Sequence, residues 1–216
     1  MLKSDGYTVF MSKKSFYFSF FTLLIVSCSE PTMKTEKELA EEKFGESNLV
    51  EHKTSPNPDR NAYFGDLHVH TENSFDAYSF GTTASPADAY KYARGEAIKH
   101  PTGYLIQLSR PLDFYAVTDH GIFLGLMKEA SNPASEIGQY ELTKPLHNLN
   151  EDVSNSIISI IRRAGIFRPF AQKLAENIQD GTIDMKLLEK VSSDVWFKTI
   201  EAADQAYVPG SFTTFA

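Results

Sequence analysis

The sequence predicts an α/β fold in which short parallel strands are joined by helices. Three observations predict it: strand-like segments at 62–70 and 111–121, and a helix-like segment at 82–95 between them. Parallel strands need a crossover of about a dozen residues or more, usually a helix, and this order supplies one. With 216 residues and a hydrophobic content of 42%, the chain is long enough for one globular domain.

The N-terminal segment is typical of a secreted lipoprotein. Lys13 and Lys14 precede an apolar run at 16–26, which Cys28 closely follows. The run is much shorter than the roughly twenty residues that span a bilayer, so it predicts a signal peptide. Its end, IVSC, resembles the lipobox of bacterial lipoproteins, which implies that Cys28 is acylated and becomes the mature N-terminus. A cleaved signal with a chance cysteine and a short buried helix are the alternatives, and Met11 is a second candidate start.

These features predict where the protein resides and what it does not bind. We expect residues 1–28 to be a signal peptide with a lipobox, and a lipid to anchor the protein in the bacterial cell envelope, facing the periplasm or the exterior. Residues 29–61 are charged and rich in serine, proline and asparagine, which predicts a flexible tether in which EKELAEEKFGE can form a helix. The net charge of −7 and the scattered lysines and arginines argue against a nucleic-acid partner.

The helix predicted at 82–95 carries signals at both ends. Ser85 is a suitable N-cap, Pro86 suits the first helical position, Asp88 lies in the first turn, and Gly95 suits the end. These signals predict a helix that crosses over between the two strands.

From about residue 126 to 207 the pattern is helical, which predicts a helical insertion. One helix is expected to end at Gly165 and the next to begin at Pro169. A third is expected to face the core through a stripe of four residues, Trp196, Ile200, Ala203 and Tyr207. The final stretch, PGSFTTFA, predicts a third strand. Two or three parallel strands are too few to close a barrel, so we expect the sequence to be the N-terminal part of a longer domain.

Histidines and carboxylates follow the predicted strands. In a regular strand Asp66, His68 and His70 share one face, with Leu67 and Val69 packed on the other. Two imidazoles one strand repeat apart suit a small divalent ion. An HxH pair alone is weak evidence, because a polar loop is the simpler explanation.

The second strand also ends in potential ligands, Asp119 and His120. The carboxyl ends of parallel strands lie at one edge of a sheet, where α/β proteins build their active sites. Three histidines and several carboxylates are therefore expected at one rim, which favours a metal site over a polar loop.

Three stretches, GDLHVHTENSFDA, SPADAYKYARG and LDFYAVTDH, resemble the first motifs of the polymerase-and-histidinol-phosphatase (PHP) superfamily of metal-dependent phosphoesterases. More narrowly, together with VWFKTIEAADQA and GSFTTFA, they are similar to the bacterial family DUF3604 over residues 62–216. The resemblance implies a distorted seven-stranded β/α barrel, related to the TIM barrel, that binds two or three zinc, manganese or iron ions. Here it implies a partial barrel with a helical insertion at about 126–207.

The resemblance also implies roles for individual residues. His68, His70 and His120 match the metal ligands, and Asp76 stands where the superfamily often has an acidic ligand. The superfamily's later ligand motifs do not occur in the sequence, so we expect an incomplete metal cluster and doubt that this chain alone is active.

Asp66 and Asp119 are expected to lie beside the ligands and to orient their imidazoles, and Asp66 could also ligate. Members of the family often carry a glutamate two residues after TDH, where this chain has Ile122. The implied function is metal-dependent hydrolysis of a small-molecule ester, a phosphoester by family analogy. The alternative is a non-catalytic, metal-stabilised envelope lipoprotein that acts as a binding or scaffold module, and an envelope protein without metal is a third interpretation.

Overall fold

The computed structural model describes residues 34–45, 60–151, 153 and 156–216. The predicted signal peptide, its Cys28 and most of the predicted tether lie outside these residues. Within them, no helix combines the length and the apolar character that crossing a bilayer requires. The helix expected at EKELAEEKFGE is present as α1 (Glu36–Phe44), and Thr35 forms a capping box with Glu38 at its start.

The described residues form a mixed α/β structure. The strands are β1 (Gly65–Val69), β2 (Ile98–Lys99), β3 (Leu105–Ile106), β4 (Phe114–Val117) and β5 (Thr213–Phe215). The helices after α1 are α2 (Phe75–Phe80), α3 (Pro86–Ala93), α4 (Leu126–Ser131), α5 (Ile157–Gln179) and α6 (Met185–Ala206). Two 3-10 helices lie between α4 and α5, at Ile137–Gln139 and Glu141–Leu146. β2 and β3 pair as a small antiparallel hairpin that the sequence patterns did not predict.

β1, β4 and β5 form one parallel sheet in the order β1-β4-β5. This arrangement confirms the α/β class, the parallel strands and the strand predicted in PGSFTTFA. At Gly65 the two strands are so close that a Cβ would lie 2.2 Å from the Phe114 carbonyl oxygen, so only glycine fits. The described strands do not close into a barrel, and the partial PHP-like barrel therefore stays a prediction.

One face of the sheet packs against α3 and α6. Its buried cluster, which we call the sheet core, consists of Ala89, Tyr90, Ala93, Tyr115, Val117, Ala203 and Phe212. α3 starts as predicted, because the Ser85 hydroxyl accepts from the Asp88 amide and the Asp88 carboxylate accepts from the Ser85 amide. The Tyr90 hydroxyl donates to the Phe215 carbonyl at 2.7 Å and ties α3 to β5.

An irregularity in β1 changes which of its side chains share a face. Asp66 pairs with Tyr115 but Val69 pairs with Val117, so β1 has one more residue than β4 between these pairs. Such a bulge interrupts the alternation of side chains. Val69 packs against the sheet core, whereas Leu67 is 59% exposed and lines a cavity of about 500 Å³. The prediction that Leu67 and Val69 pack on the same side is wrong for this reason.

α6 faces the core through a stripe that is offset from the predicted one. Val195, Thr199 and Ala203 are buried, whereas Trp196 and Tyr207 are exposed. The prediction is thus wrong for the two large rings. Ala203 packs in the sheet core with Ala89 and Ala93 of α3, whereas Val195 lies against Gly125.

α5 continues through Gly165 and Pro169, the two residues predicted to separate a pair of helices. Glycine and proline inside a helix cost about 1 and 3 kcal/mol relative to alanine. Phe170 and Leu174, however, are almost fully buried in a second cluster, the helical core, which α5 shares with α2 and α4. Burial of one such side chain stabilises by about 1.5–3 kcal/mol, so tertiary packing offsets the local cost.

Candidate metal centre

The ends of β1 and β4 bring the predicted ligands together. His68 lies in β1 and His70 directly follows it, Asp76 lies in the first turn of α2, and His120 follows β4. Ligand atoms of His70, Asp76 and His120 all lie within 4.8 Å of one another. Three of the four predicted ligands therefore form a group that could hold a metal ion.

The distance from His120 to Asp76 matches that between two ligands of one small ion, whereas His70 and Asp76 are at hydrogen-bond distance. His70 Nδ1 lies 3.0 Å and His120 Nε2 lies 3.4 Å from the same oxygen, Oδ2 of Asp76. Ligands of a tetrahedral ion, each about 2.0–2.2 Å from it, lie roughly 3.3–3.6 Å from one another. Two imidazoles and one carboxylate are a donor set that zinc, manganese and iron all accept.

His68 lies beside the group and faces the other nitrogen of His70. Nε2 of His68 and Nε2 of His70 are 3.2 Å apart. A neutral imidazole has one N–H and one lone pair, so when His70 donates from Nδ1 to Asp76, its Nε2 lone pair faces His68. An ion can therefore be held by His70 with Asp76 and His120, or by the two Nε2 atoms. Both arrangements use His70.

Local hydrogen bonds keep the Asp76 carboxylate ionised. Its partial burial acts to raise the pKa, but the Ser74 hydroxyl donates to Oδ1 at 2.5 Å and the Ala77 amide donates to the same oxygen at 2.7 Å. Together with the neighbouring His70, these bonds hold the pKa of Asp76 below its usual value. A negative charge at the centre of the group favours a cation.

Ser74 is a residue of this site that the sequence analysis missed. Its side chain is fully buried, and its hydroxyl oxygen lies 3.4 Å from His70 Nδ1 and accepts from the His120 backbone amide at 3.3 Å. One hydroxyl thus contacts three candidate ligands, Asp76 included. No nucleophile motif surrounds it, and the available signal was its position at the start of α2, two residues before Asp76.

Asp119 joins the two strand ends through a contact other than the predicted one. Its carboxylate accepts from the Thr71 amide at 2.5 Å and from the Thr71 hydroxyl at 2.6 Å. Thr71 directly follows His70, so Asp119 fixes the backbone beside a candidate ligand instead of orienting an imidazole by a hydrogen bond. Burial raises the pKa of Asp119, and the bonds from Thr71 act in the opposite direction.

Asp66, Ile122 and His100 lie outside the ligand group. Asp66 accepts from the His68 backbone amide at 2.9 Å, so its contact is with the strand and not with an imidazole ring. Ile122 is 62% exposed and, as a hydrocarbon, cannot ligate a metal ion. His100 lies between β2 and β3, with Nδ1 2.8 Å from the Thr102 hydroxyl, and takes no part in the group.

Comparison with protein families finds a match that covers most of the chain. The family model described as "Protein of unknown function (DUF3604)" matches residues 57–216, which include every candidate ligand. No curated protein matches the chain, and no solved structure matches it.

Proposed function

The chain belongs to the DUF3604 family, and we propose that it is a metal-binding hydrolase of the PHP type. The proposed reaction is hydrolysis of a small phosphorylated ester, by a protein that acylated Cys28 anchors in the bacterial envelope. The observation that supports the proposal most is the convergence of His70, Asp76 and His120 from two strand ends. PHP membership rests on the resemblance of the motifs around these residues.

The candidate ligands of the chain suit the metal ion that this function requires. A zinc, manganese or iron ion would supply Lewis acidity, which polarises an ester and lowers the pKa of water. Asp76 offers the ion a negative charge, and the Ser74 hydroxyl holds that carboxylate beside His70. Thr71 and Asp119 tie the ends of β1 and β4 together, so ligands on both ends keep their spacing.

The solvent-facing edge of the cluster is where a substrate would meet the protein. His68 and His120 are exposed, whereas the His70 side chain is 18% exposed. An ester oxygen that arrives from solvent would therefore meet the ring of His68, which lies outside the ligand group, and an imidazole N–H can donate a hydrogen bond to it. His70, Asp76 and His120 are left to hold the ion.

A non-catalytic, metal-stabilised envelope lipoprotein is the second candidate. The presence of Ile122 favours this second candidate. Its exposed side chain has no donor atom, whereas the resemblance implies a glutamate at this position. An ion held by ligands from both strand ends would then cross-link β1 and β4 and contribute to folding free energy.

Assays of the full-length gene product with zinc, manganese or iron, against a panel of phosphoesters and other esters, distinguish the two candidates. The hydrolase predicts ion-dependent turnover that falls by more than about 100-fold in His68→Ala and in His120→Ala, since even residues that only support a ligand commonly contribute 10–100-fold. His100→Ala is the matched control and keeps the wild-type rate. Turnover that survives both cluster substitutions contradicts the hydrolase. Ion binding that raises thermal stability without any turnover favours the scaffold.

A further inference from the structure

The contacts of the His120 ring with other side chains differ from those of the His70 ring. Such a histidine commonly donates its second N–H to a carboxylate, a carbonyl or water, which fixes the ring. His70 has a carboxylate partner, since its Nδ1 lies 3.0 Å from Asp76. The His120 Nε2 approaches Asp76 at 3.4 Å, and among the described residues no group forms a hydrogen bond with the His120 ring.

One described contact of the His120 ring is with an aromatic side chain. The Phe75 ring stacks on the His120 imidazole, with ring centroids 4.7 Å apart and an angle of 29° between the planes. Phe75 also stacks on Phe167 of α5, with centroids 4.4 Å apart and an angle of 14°. Phe75 thus connects the imidazole at the end of β4 to a helix of the predicted insertion.

A third ring, that of Phe123, contacts both stacked phenylalanines. Phe123 lies edge-on to Phe75 at 6.2 Å and to Phe167 at 5.9 Å. Its backbone adopts the left-handed conformation, with φ of 58°, which is an outlier for a bulky side chain. Such a conformation persists only where the surroundings impose it, and the packing of Phe123 against Phe75 and Phe167 is one restraint of this kind.

We propose that the stacked rings of Phe75 and Phe167 hold the His120 imidazole in the orientation that turns its Nε2 toward Asp76. Neither ring carries a ligand atom, so both are positioning residues. The consequence for ion affinity rests on the metal-binding function proposed above, whereas the orientation of the ring does not. α5 would thereby support a ligand to which it contributes no donor atom.

The test compares Phe75→Leu and Phe167→Leu with Phe170→Leu. All three remove a flat ring and keep an apolar side chain, but Phe170 is buried in the helical core and makes no ring contact with Phe75. In metal-free protein, NMR reports the His120 ring protons, which the stacked Phe75 ring shifts upfield. Absorption titration with Co²⁺ reports ion affinity.

We expect the His120 ring protons to move downfield in Phe75→Leu and Phe167→Leu, and Co²⁺ affinity to fall about tenfold, as for other supports of a ligating histidine. Phe75→Tyr keeps the flat ring and should restore both values. Phe170→Leu should lower stability and leave both unchanged. Unchanged ring shifts and affinity in the two stack variants would overturn the proposal, and so would equal changes in Phe170→Leu. A wild-type chain that binds no Co²⁺ contradicts the proposed function instead, and the metal-free ring shifts still decide this inference.

Discussion

The covered face of the parallel sheet and the ends of its strands are built from β1 and β4, yet their buried groups differ. On the covered face, Tyr115 and Val117 pack among apolar side chains of α3 and α6. At the strand ends, Thr71 and Ser74 are equally buried but polar, and each donates its hydroxyl to a carboxylate beside the candidate ligands. Burial of a polar group costs free energy unless the group is hydrogen-bonded, and these bonds meet that requirement while they place ligands.

This difference suggests that the covered face of the sheet contributes to folding stability and that the strand ends contribute to ion binding. Substitutions on the covered face should lower the free energy of unfolding and leave ion binding intact. Substitutions at the strand ends should lower ion affinity more than their effect on stability explains. Measurements of the free energy of unfolding and of ion affinity in variants from the two regions show whether the two properties depend on different residues.

His70→Ala has the largest expected effect. His70 takes part in both ways of holding an ion, so its loss should weaken Zn²⁺ affinity by more than about 100-fold, above the range for residues that only support a ligand. Competition with a chromophoric chelator measures the affinity, and His100→Ala controls for the loss of an imidazole elsewhere. Unchanged affinity in His70→Ala would mean that zinc binds at another place.

Val117→Ala tests the covered face. Val117 is buried in the sheet core, so truncation should lower the free energy of unfolding by about 2–3 kcal/mol. Urea unfolding of the metal-free chain measures the change, and the Zn²⁺ affinity of the folded variant should equal that of wild type. If affinity falls as far as in His70→Ala, the two regions are not separable.

Ser74→Ala has a smaller expected effect that is confined to the strand ends. Without its hydroxyl, the Asp76 carboxylate loses one of the bonds that keep its pKa low, and Zn²⁺ affinity should fall about tenfold. Ser79→Ala is the matched control, since Ser79 is buried on the same helix and its hydroxyl donates to the Phe75 carbonyl at 2.6 Å. Equal losses of affinity in both variants would assign the effect to α2 as a whole.

Tyr115 gives the smallest effect, a dependence of stability on alkaline pH. Burial raises the pKa of Tyr115 to about 12, with Asp66, Tyr92 and Tyr90 adding to the shift, whereas a tyrosine in the unfolded chain ionises near about 10. The folded state thus favours the neutral phenol, so its contribution is complete below pH 10 and declines as the pH rises toward 12. The free energy of unfolding should fall less steeply over this window in Tyr115→Phe. Parallel curves for the two proteins would contradict the burial of an ionisable phenol on this face.

The parts of the fold that the sequence predicted are those that local chemistry determines. Ser85 and Pro86 mark the start of a helix by their own hydrogen-bonding and backbone preferences, and α3 begins there. The meeting of His70 and His120 followed from parallel strands alone, because parallel strands end at the same edge. Residue types at those ends were enough to indicate a group that could hold a metal ion.

The parts that the sequence did not predict depend on contacts between distant segments. The bulge in β1 follows from its register with β4, and it reversed the expected environment of Leu67. Gly165 and Pro169 have local preferences that end helices, but burial of Phe170 and Leu174 outweighed them. The hydrogen bonds from the His120 amide to Ser74 and from the Thr71 amide to Asp119 link segments more than forty positions apart, and no spacing rule along the chain reports such contacts.

Anomalous diffraction from crystals grown with Zn²⁺ tests the central claim most directly, because it locates the ion without an assay or an assumed substrate. We expect an anomalous peak about 2.0–2.2 Å from a nitrogen of His70 and from its partner ligands, with Asp76 and His120 as the favoured pair. Crystals saturated with zinc that show no peak at the ends of β1 and β4, or a peak only elsewhere on the surface, would contradict the claim that these strand ends form a metal centre.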